Sequence, residues 1–317
     1  MIRLQNQFQP EQQAISRRNM KRRSLLCGAL SAMPAAWAGT SRLESLRWLP
    51  EDRIDIGRAS FALSQELYPS VDIERLSRQL DAMAAAVRRK VTSPNDPEER
   101  VWAMNTVFFQ ERGIRYDHDP QGREKPLNYL LHGLLETGKG MCFSMPLLYV
   151  AVGQRLGYPI ALVCVPDHTF ARYVDPAFPH GNIEATSGGK RFTDDDYIGR
   201  HGVNATALKS GAYMRALTLR EHLGVLITCS AYIHALRKDV ATCLQYLKAS
   251  LTLAPRRAET YEQIAEAYSY YSKLTSGSES SSYALQAKAT MRKAIDLGYV
   301  RIEDVQQARN NKGMAGR

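Results

Sequence analysis

Apolar residues recur at helical spacing through much of this chain. In Ile54–Tyr68 they fall at Ile54, Ala59, Phe61, Ala62, Leu63 and Leu67, which predicts a helix ended by Pro69. A second amphipathic helix is predicted from about Ile73 to Arg89 on the stripe Leu76, Leu80, Met83, Ala84 and Val87. Beyond the turn Ser93-Pro94-Asn95-Asp96-Pro97, a third runs from Glu98 to Arg112 and turns Val101, Met104, Val107 and Phe108 inward. It ends at Gly113, the residue type suited to a left-handed helix cap. These helices form a lead-in.

The pattern then changes. Tyr116–Lys125 (YDHDPQGREK) is polar and turn-rich, so a surface loop near the later site is expected. Leu127–Leu135 predicts a helix that delivers the chain to a glycine elbow, Gly138 and Gly140. There Cys142 opens an apolar helical run through Met145, Leu148, Val150, Ala151 and Leu156. After Gly157-Tyr158-Pro159, Ile160–Val165 reads as a strand. Pro166-Asp167 interrupts it, and Thr169–Tyr173 and Asn182–Thr186 read as two more short strands.

From about Leu217 only long helices follow. With Pro255 as the end of one repeat, Ala231, Cys243, Leu247, Ser250, Leu251 and Leu253 take the small and apolar positions of a tetratricopeptide unit. A second unit begins at Ala258, with Ser276–Ser282 as a lengthened turn and Ala287, Met291, Ala294, Ile295 and Leu297 in its second helix. Two repeats are fewer than the three or more that usually stand alone, so they are expected to pack on the preceding domain.

Charge modifies this picture mainly at the start. The formal net charge is +10, but residues 1–38 hold Arg3, Arg17, Arg18, Lys21, Arg22 and Arg23 against Glu11, which accounts for +5 of it. The remaining excess, without a basic stripe, gives no ground for nucleic-acid binding. The same segment reads as an export signal: a basic stretch Ser16–Arg23, an apolar stretch Leu25–Met33 too short to span a bilayer, and a small-x-small site Ala36-Trp37-Ala38. SRRNMK resembles a twin-arginine signal and KRRSLL fits a general one equally well. The expectation is a periplasmic or secreted protein with no stable membrane insertion after cleavage.

The candidate chemistry lies in Gly138–Arg172. A cysteine at a helix N-terminus is stabilised as thiolate by unpaired N–H groups and the helix dipole, which makes Cys142 a candidate nucleophile. His168 on the following strand supplies a base, and Asn182 and Glu184 alternate onto one strand face, so either can orient the imidazole. Arg172, four residues past His168, shares its strand face and is a candidate for a substrate carboxylate or for Glu184. The backbone N–H of Cys142 is the natural oxyanion donor, with Asn128 or Tyr129 as side-chain candidates. Cys164, Cys229 and Cys243 read as apolar core residues. A Cys229–Cys243 disulfide stays open, because the two fall on helices expected to pack antiparallel. No cysteine spacing suggests zinc, and Thr193-Asp194-Asp195-Asp196 reads as a capped helix start, so no metal or cofactor is expected.

Three stretches, GKGMCFSMPLLYVAVGQRLGYP, HTFARY and NIEATSGGKRFTDDDY, together resemble the bacterial transglutaminase-like proteins of the papain superfamily, particularly those with C-terminal tetratricopeptide repeats. The resemblance implies Cys142 as nucleophile, His168 as base and Glu184 in the place of the family's usual Asp. It implies an α+β fold: a helical lead-in, a papain-like core with a small antiparallel sheet, then α-helical repeats. The expected organisation is a signal over 1–38, a transglutaminase-like domain with its lead-in over 39–212, repeats over 213–305 and a disordered tail over 306–317. The implied activity is cysteine hydrolysis or acyl transfer at an amide or peptide bond of a protein or peptide. The alternative is an inactive scaffold that binds a protein partner through its repeats.

Overall fold

The computed structural model describes residues 36–179 and 181–314. The lead-in comprises α1 (Ala36–Arg47), α2 (Ile56–Leu67), α3 (Ile73–Lys90) and α4 (Pro97–Asn105). Asp55, Asp72 and Asp96 cap α2, α3 and α4, each accepting a backbone N–H of the first turn, so all three starts are set by local chemistry. After Asn105 the helix widens into π-helical turns over Thr106–Glu111 and stops at Gly113, whose φ of +63° fits the predicted left-handed stop. Most of the basic leader lies outside the described residues. The expected cleavage site falls on the first turn of α1.

The stretch expected to be a surface loop instead starts with strand β1 (Arg115–Tyr116), which pairs in parallel with β2 (Lys139–Gly140). Between them lie short 3-10 turns and helix α5 (Leu131–Thr137), which Gly138 caps at φ +69°. Next comes α6 (Ser144–Leu156), hydrophobic nearly all round and buried along most of its length.

Behind α6 lies an antiparallel sheet in the order β3 (Ile160–Val165), β4 (His168–Tyr173), β5 (Asn182–Ile183). β3 reads as an unbroken apolar run because both its faces are covered. Leu162 and Cys164 join the main core with α6, while Val163 and Val165 enter a second cluster with Phe170, Tyr197 and Val305. Pro166-Asp167 is a two-residue hairpin turn, with Val165 paired to His168 and Asp167 at φ +57°. The third strand is shorter than expected: pairing with β4 stops at Ile183, and Glu184 bridges to Lys190 and caps the 3-10 turn Ala185–Ser187.

Helices α7 (Asp194–His201) and α8 (Ala205–Ser210) follow, α7 starting from a capping box between Thr193 and Asp196 as the sequence predicts. The strand-like segment after α8 adds an edge to β3, through Val163 paired with Ala216. Then α9 (Leu219–Leu236) packs on α10 (Val240–Leu253), and α11 (Ala258–Leu274) on α12 (Gly277–Asp296), as two helical hairpins that share the main core with the lead-in. His222 fixes α9 to the sheet: its Nε2 accepts the Leu162 N–H at 2.9 Å and its Nδ1 donates to the Thr218 carbonyl at 2.6 Å.

Two expectations are corrected here, and one open alternative is closed. The serine-rich segment is not a lengthened turn, because Ser278–Ser282 form the first turns of α12 with only Thr275 and Ser276 between the helices. Of the expected tail over 306–317, residues 306–314 are helical as part of α13 (Ile302–Met314), anchored by the fully buried Val305, and 315–317 lie outside the described residues. Cys229 and Cys243 lie on packed neighbouring helices yet are free thiols, as are Cys142 and Cys164.

Candidate active site

Cys142 sits where the glycine elbow meets α6. Its turn is pinned from below: the Met141 N–H donates to the Asn128 carbonyl at 3.1 Å, and the Ser144 hydroxyl donates to the same carbonyl at 2.5 Å. Gly140 is required there, since a Cβ would lie 2.6 Å from Ser144 Oγ and 2.7 Å from Leu134 Cδ1. The Met145 N–H then closes the first turn onto the Met141 carbonyl.

The β3–β4 hairpin delivers His168 to this turn, close enough for its imidazole and the Cys142 thiol to act on each other's charge. On its other side, His168 Nε2 lies 2.7 Å from Glu184 Oε2. Burial pushes the thiol up, whereas the neighbouring His168, through its imidazolium charge, draws it down. Burial likewise opposes the charge on His168, but the nearby Cys142 thiol and the bond to Glu184 hold it protonated up to about 9. Against the cost of burying it, Glu184 is held down to about 2 by His168 and Thr186. These interactions favour negative charge on Glu184, positive charge on His168 and thiolate character at Cys142.

Glu184 is satisfied on both oxygens. Oε1 accepts the Thr186 N–H at 3.0 Å and the Thr186 hydroxyl at 2.6 Å, and Oε2 accepts the Tyr197 hydroxyl at 2.9 Å beside His168. The His201 ring stacks on His168 at 5.1 Å and donates from Nδ1 to the Pro166 carbonyl at 2.8 Å. Arg123, although burial opposes its charge, lies in the field of Asp167, Tyr116 and Cys142, which adds positive potential near the thiol.

Other candidates have different partners. Asn182 does not meet His168: its amide donates to the Phe192 carbonyl and Asp194 Oδ1, and its Oδ1 accepts from Arg172 Nε at 2.6 Å. The cause is register, since Arg172 pairs directly with Asn182 while the strand breaks before Glu184. Arg172 is spent on Asn182, the Met214 carbonyl and Asp194, so its contact with Glu184 is not made. Asn128 gives both amide hydrogens to Asp117 and the Gly122 carbonyl, which leaves none for an oxyanion. The Tyr129 hydroxyl donates to the Arg123 carbonyl, while the residue lines the cavity beside Cys142.

Beside Cys142 opens a small cavity of about 40 Å³. Tyr129, Phe143 and Thr169 wall it on one side. Val225, Thr228 and Cys229 of α9, with Arg257 and Gln263 from the second hairpin, wall it on the other.

Sequence reasoning did not find Tyr197, Thr186, His201 or Arg257 as site residues. Thr186 alone left a local signal, a hydroxyl two residues after a carboxylate that caps the turn. The others arrive through the packing of α7 and α11.

The comparisons with known proteins bear on this geometry. Residues 74–221 match the family model of the Transglutaminase-like superfamily. That stretch is a transglutaminase-like superfamily domain. Cys142, His168 and Glu184 all lie within it, whereas most of the helical hairpins lie beyond it. F-box only protein 21 of Homo sapiens is 27% identical over 161 residues, which cover 48% of this chain and 24% of that protein. The UPF0162 protein of Xylella fastidiosa (strain 9a5c) is 23% identical over 128 residues, 40% of this chain and 45% of that protein. The matches thus span less than half of either relative's length. Among solved structures, a crystal structure of menin, described as revealing the binding site for Mixed Lineage Leukemia (MLL) protein, aligns with a TM-score of 0.44 and 17% identity over 82% of this chain and 69% of that one.

Proposed function

We propose that this protein is a cysteine acyl transferase or hydrolase acting on an amide or peptide bond. The observation that carries the reading is the row Cys142, His168, Glu184, with the imidazole beside the thiol and 2.7 Å from a fully satisfied carboxylate on its other side. The thiolate attacks the carbonyl carbon, forming an S–C bond and a tetrahedral oxyanion. The His168 imidazolium gives its proton to the leaving nitrogen as the C–N bond breaks, which leaves a thioester. A water or amine then attacks the thioester while His168 takes its proton, the C–S bond breaks, and the thiolate is restored. Glu184 holds the imidazole and balances its charge. The Cys142 backbone N–H, next to the start of α6, is the oxyanion donor in this scheme.

Incubation with an activated ester such as p-nitrophenyl acetate tests the scheme. Intact-mass analysis should find one acyl group, mapped to Cys142 and absent from His168→Ala. Acylation of the His168→Ala protein at the wild-type rate would overturn the scheme.

A second reading, a scaffold with tetratricopeptide-type repeats, is favoured by Leu274, Leu285 and Ile295, which are exposed on the second hairpin. In that case Cys142→Ala leaves cellular function intact and charge substitutions at those three residues remove it. Export rests on the leader's composition, and the mass of the mature N-terminus tests it: cleavage after Ala38 supports export, and retention of Met1 contradicts it.

A further inference from the structure

The cavity beside Cys142 is walled by Tyr129, Phe143, Val225 and Cys229, so it is mostly apolar, but it also contains a buried cation. Arg257, at the N-cap of α11, is 5% exposed, and its Nε and Nη1 have no hydrogen-bond partner among the described residues. Its Nη2 reaches Glu259 Oε2 only at 3.5 Å, long for a charge-assisted hydrogen bond. Buried guanidinium groups normally satisfy their donors, yet here Nε and Nη1 stay open although the buried Glu259 carboxylate lies beside Nη2.

We infer that Arg257 is the specificity-determining residue of the Cys142 site and that it binds a carboxylate on the substrate, so that the preferred substrates are acidic amides or peptides. This rests on the reading of Cys142 as a nucleophile. A carboxylate entering the cavity gives the idle donors of Arg257 an acceptor, while the substrate's apolar atoms lie against Tyr129, Phe143 and Val225. The arrangement also explains why the helical hairpins close over the transglutaminase-like domain: the nucleophile comes from the domain and the recognition group from the hairpins. Selection works by difference, because a neutral substrate in the same cavity leaves the guanidinium donors unpaired.

Two alkylating reagents that differ in one charge test the inference. Iodoacetate carries a carboxylate and iodoacetamide does not, and peptide mapping reads the rate of each at Cys142 in the full chain. The ratio of the iodoacetate rate to the iodoacetamide rate should exceed that of free cysteine in the same buffer. It should fall about tenfold in Arg257→Gln, the scale of one lost charged hydrogen bond, and recover in part in Arg257→Lys. The ratio compares reagents within one protein, so a general loss of stability does not produce the effect. Should Arg257→Gln fail to fold, the wild-type protein decides: succinate should slow iodoacetamide at Cys142 in a saturable way and succinamide should not. A fast Cys142 with the same ratio as free cysteine overturns this inference alone, as does protection by inorganic phosphate equal to that by succinate. Alkylation by both reagents at free-cysteine rates overturns the catalytic reading instead.

Discussion

Glu184 shows how the site is built at the scale of single residues. A carboxylate 4% exposed is costly unless its lone pairs are filled, and Thr186, Tyr197 and His168 fill them. Asn182 was as good a candidate on sequence spacing alone. Strand alternation gives the face of a side chain, but it does not show where a strand ends, and here it ends between the two candidates. Tyr197→Phe keeps the ring stacked on Phe170 at 3.7 Å and removes only the hydroxyl from Glu184. The expected cost is about 1 to 2 kcal/mol, read as a lower urea midpoint with an unchanged slope. An unchanged midpoint would mean that the hydroxyl does not support Glu184.

At the scale of elements, much was legible because it is local. The capped helices of the lead-in, the left-handed glycine stop at Gly113, and the capped start of α7 follow from a few adjacent residues. The short strands β1 and β2 were not legible, since two residues carry no alternation. The serine-rich start of α12 looked like a turn because serine is a common turn residue, but packing against α11 overrides that weak preference. The joint between β3 and α9 makes a prediction at this scale. His222 must be neutral for Nε2 to accept the Leu162 N–H, and burial holds it down to about 4 from an ordinary 6.5. The unfolded chain therefore takes up this proton first, and stability is lost as pH falls from 6.5 toward 4. Between pH 7.5 and 4.5 the loss from this group is about 2 to 3 kcal/mol. His222→Gln retains an acceptor for Leu162 and does not titrate, so its urea midpoint should fall correspondingly less over that range. Equal pH dependence in both proteins would contradict the assignment.

At the scale of the molecule, one apolar core runs from the lead-in through α6 into the hairpins, so the parts named separately from sequence do not stand apart. Further ties cross the same boundary: Arg220 donates to the carbonyls of Arg47 and Leu49, Arg237 to that of Leu67, and the Tyr246 hydroxyl to Glu66. The sequence suggested that two hairpins need a partner domain, but long-range packing alone determines that they wall the cavity beside Cys142. For the same reason Cys142 and His168 were legible while Arg257 was not. The most direct test of the account is the pH dependence of iodoacetamide alkylation at Cys142, compared between wild type and His168→Ala. The row of charges predicts a wild-type thiol that reacts well below the pH at which free cysteine does, and a variant whose profile moves up to or beyond that of free cysteine. Superimposable profiles would show that His168 does not ionise Cys142, and would contradict the proposed chemistry.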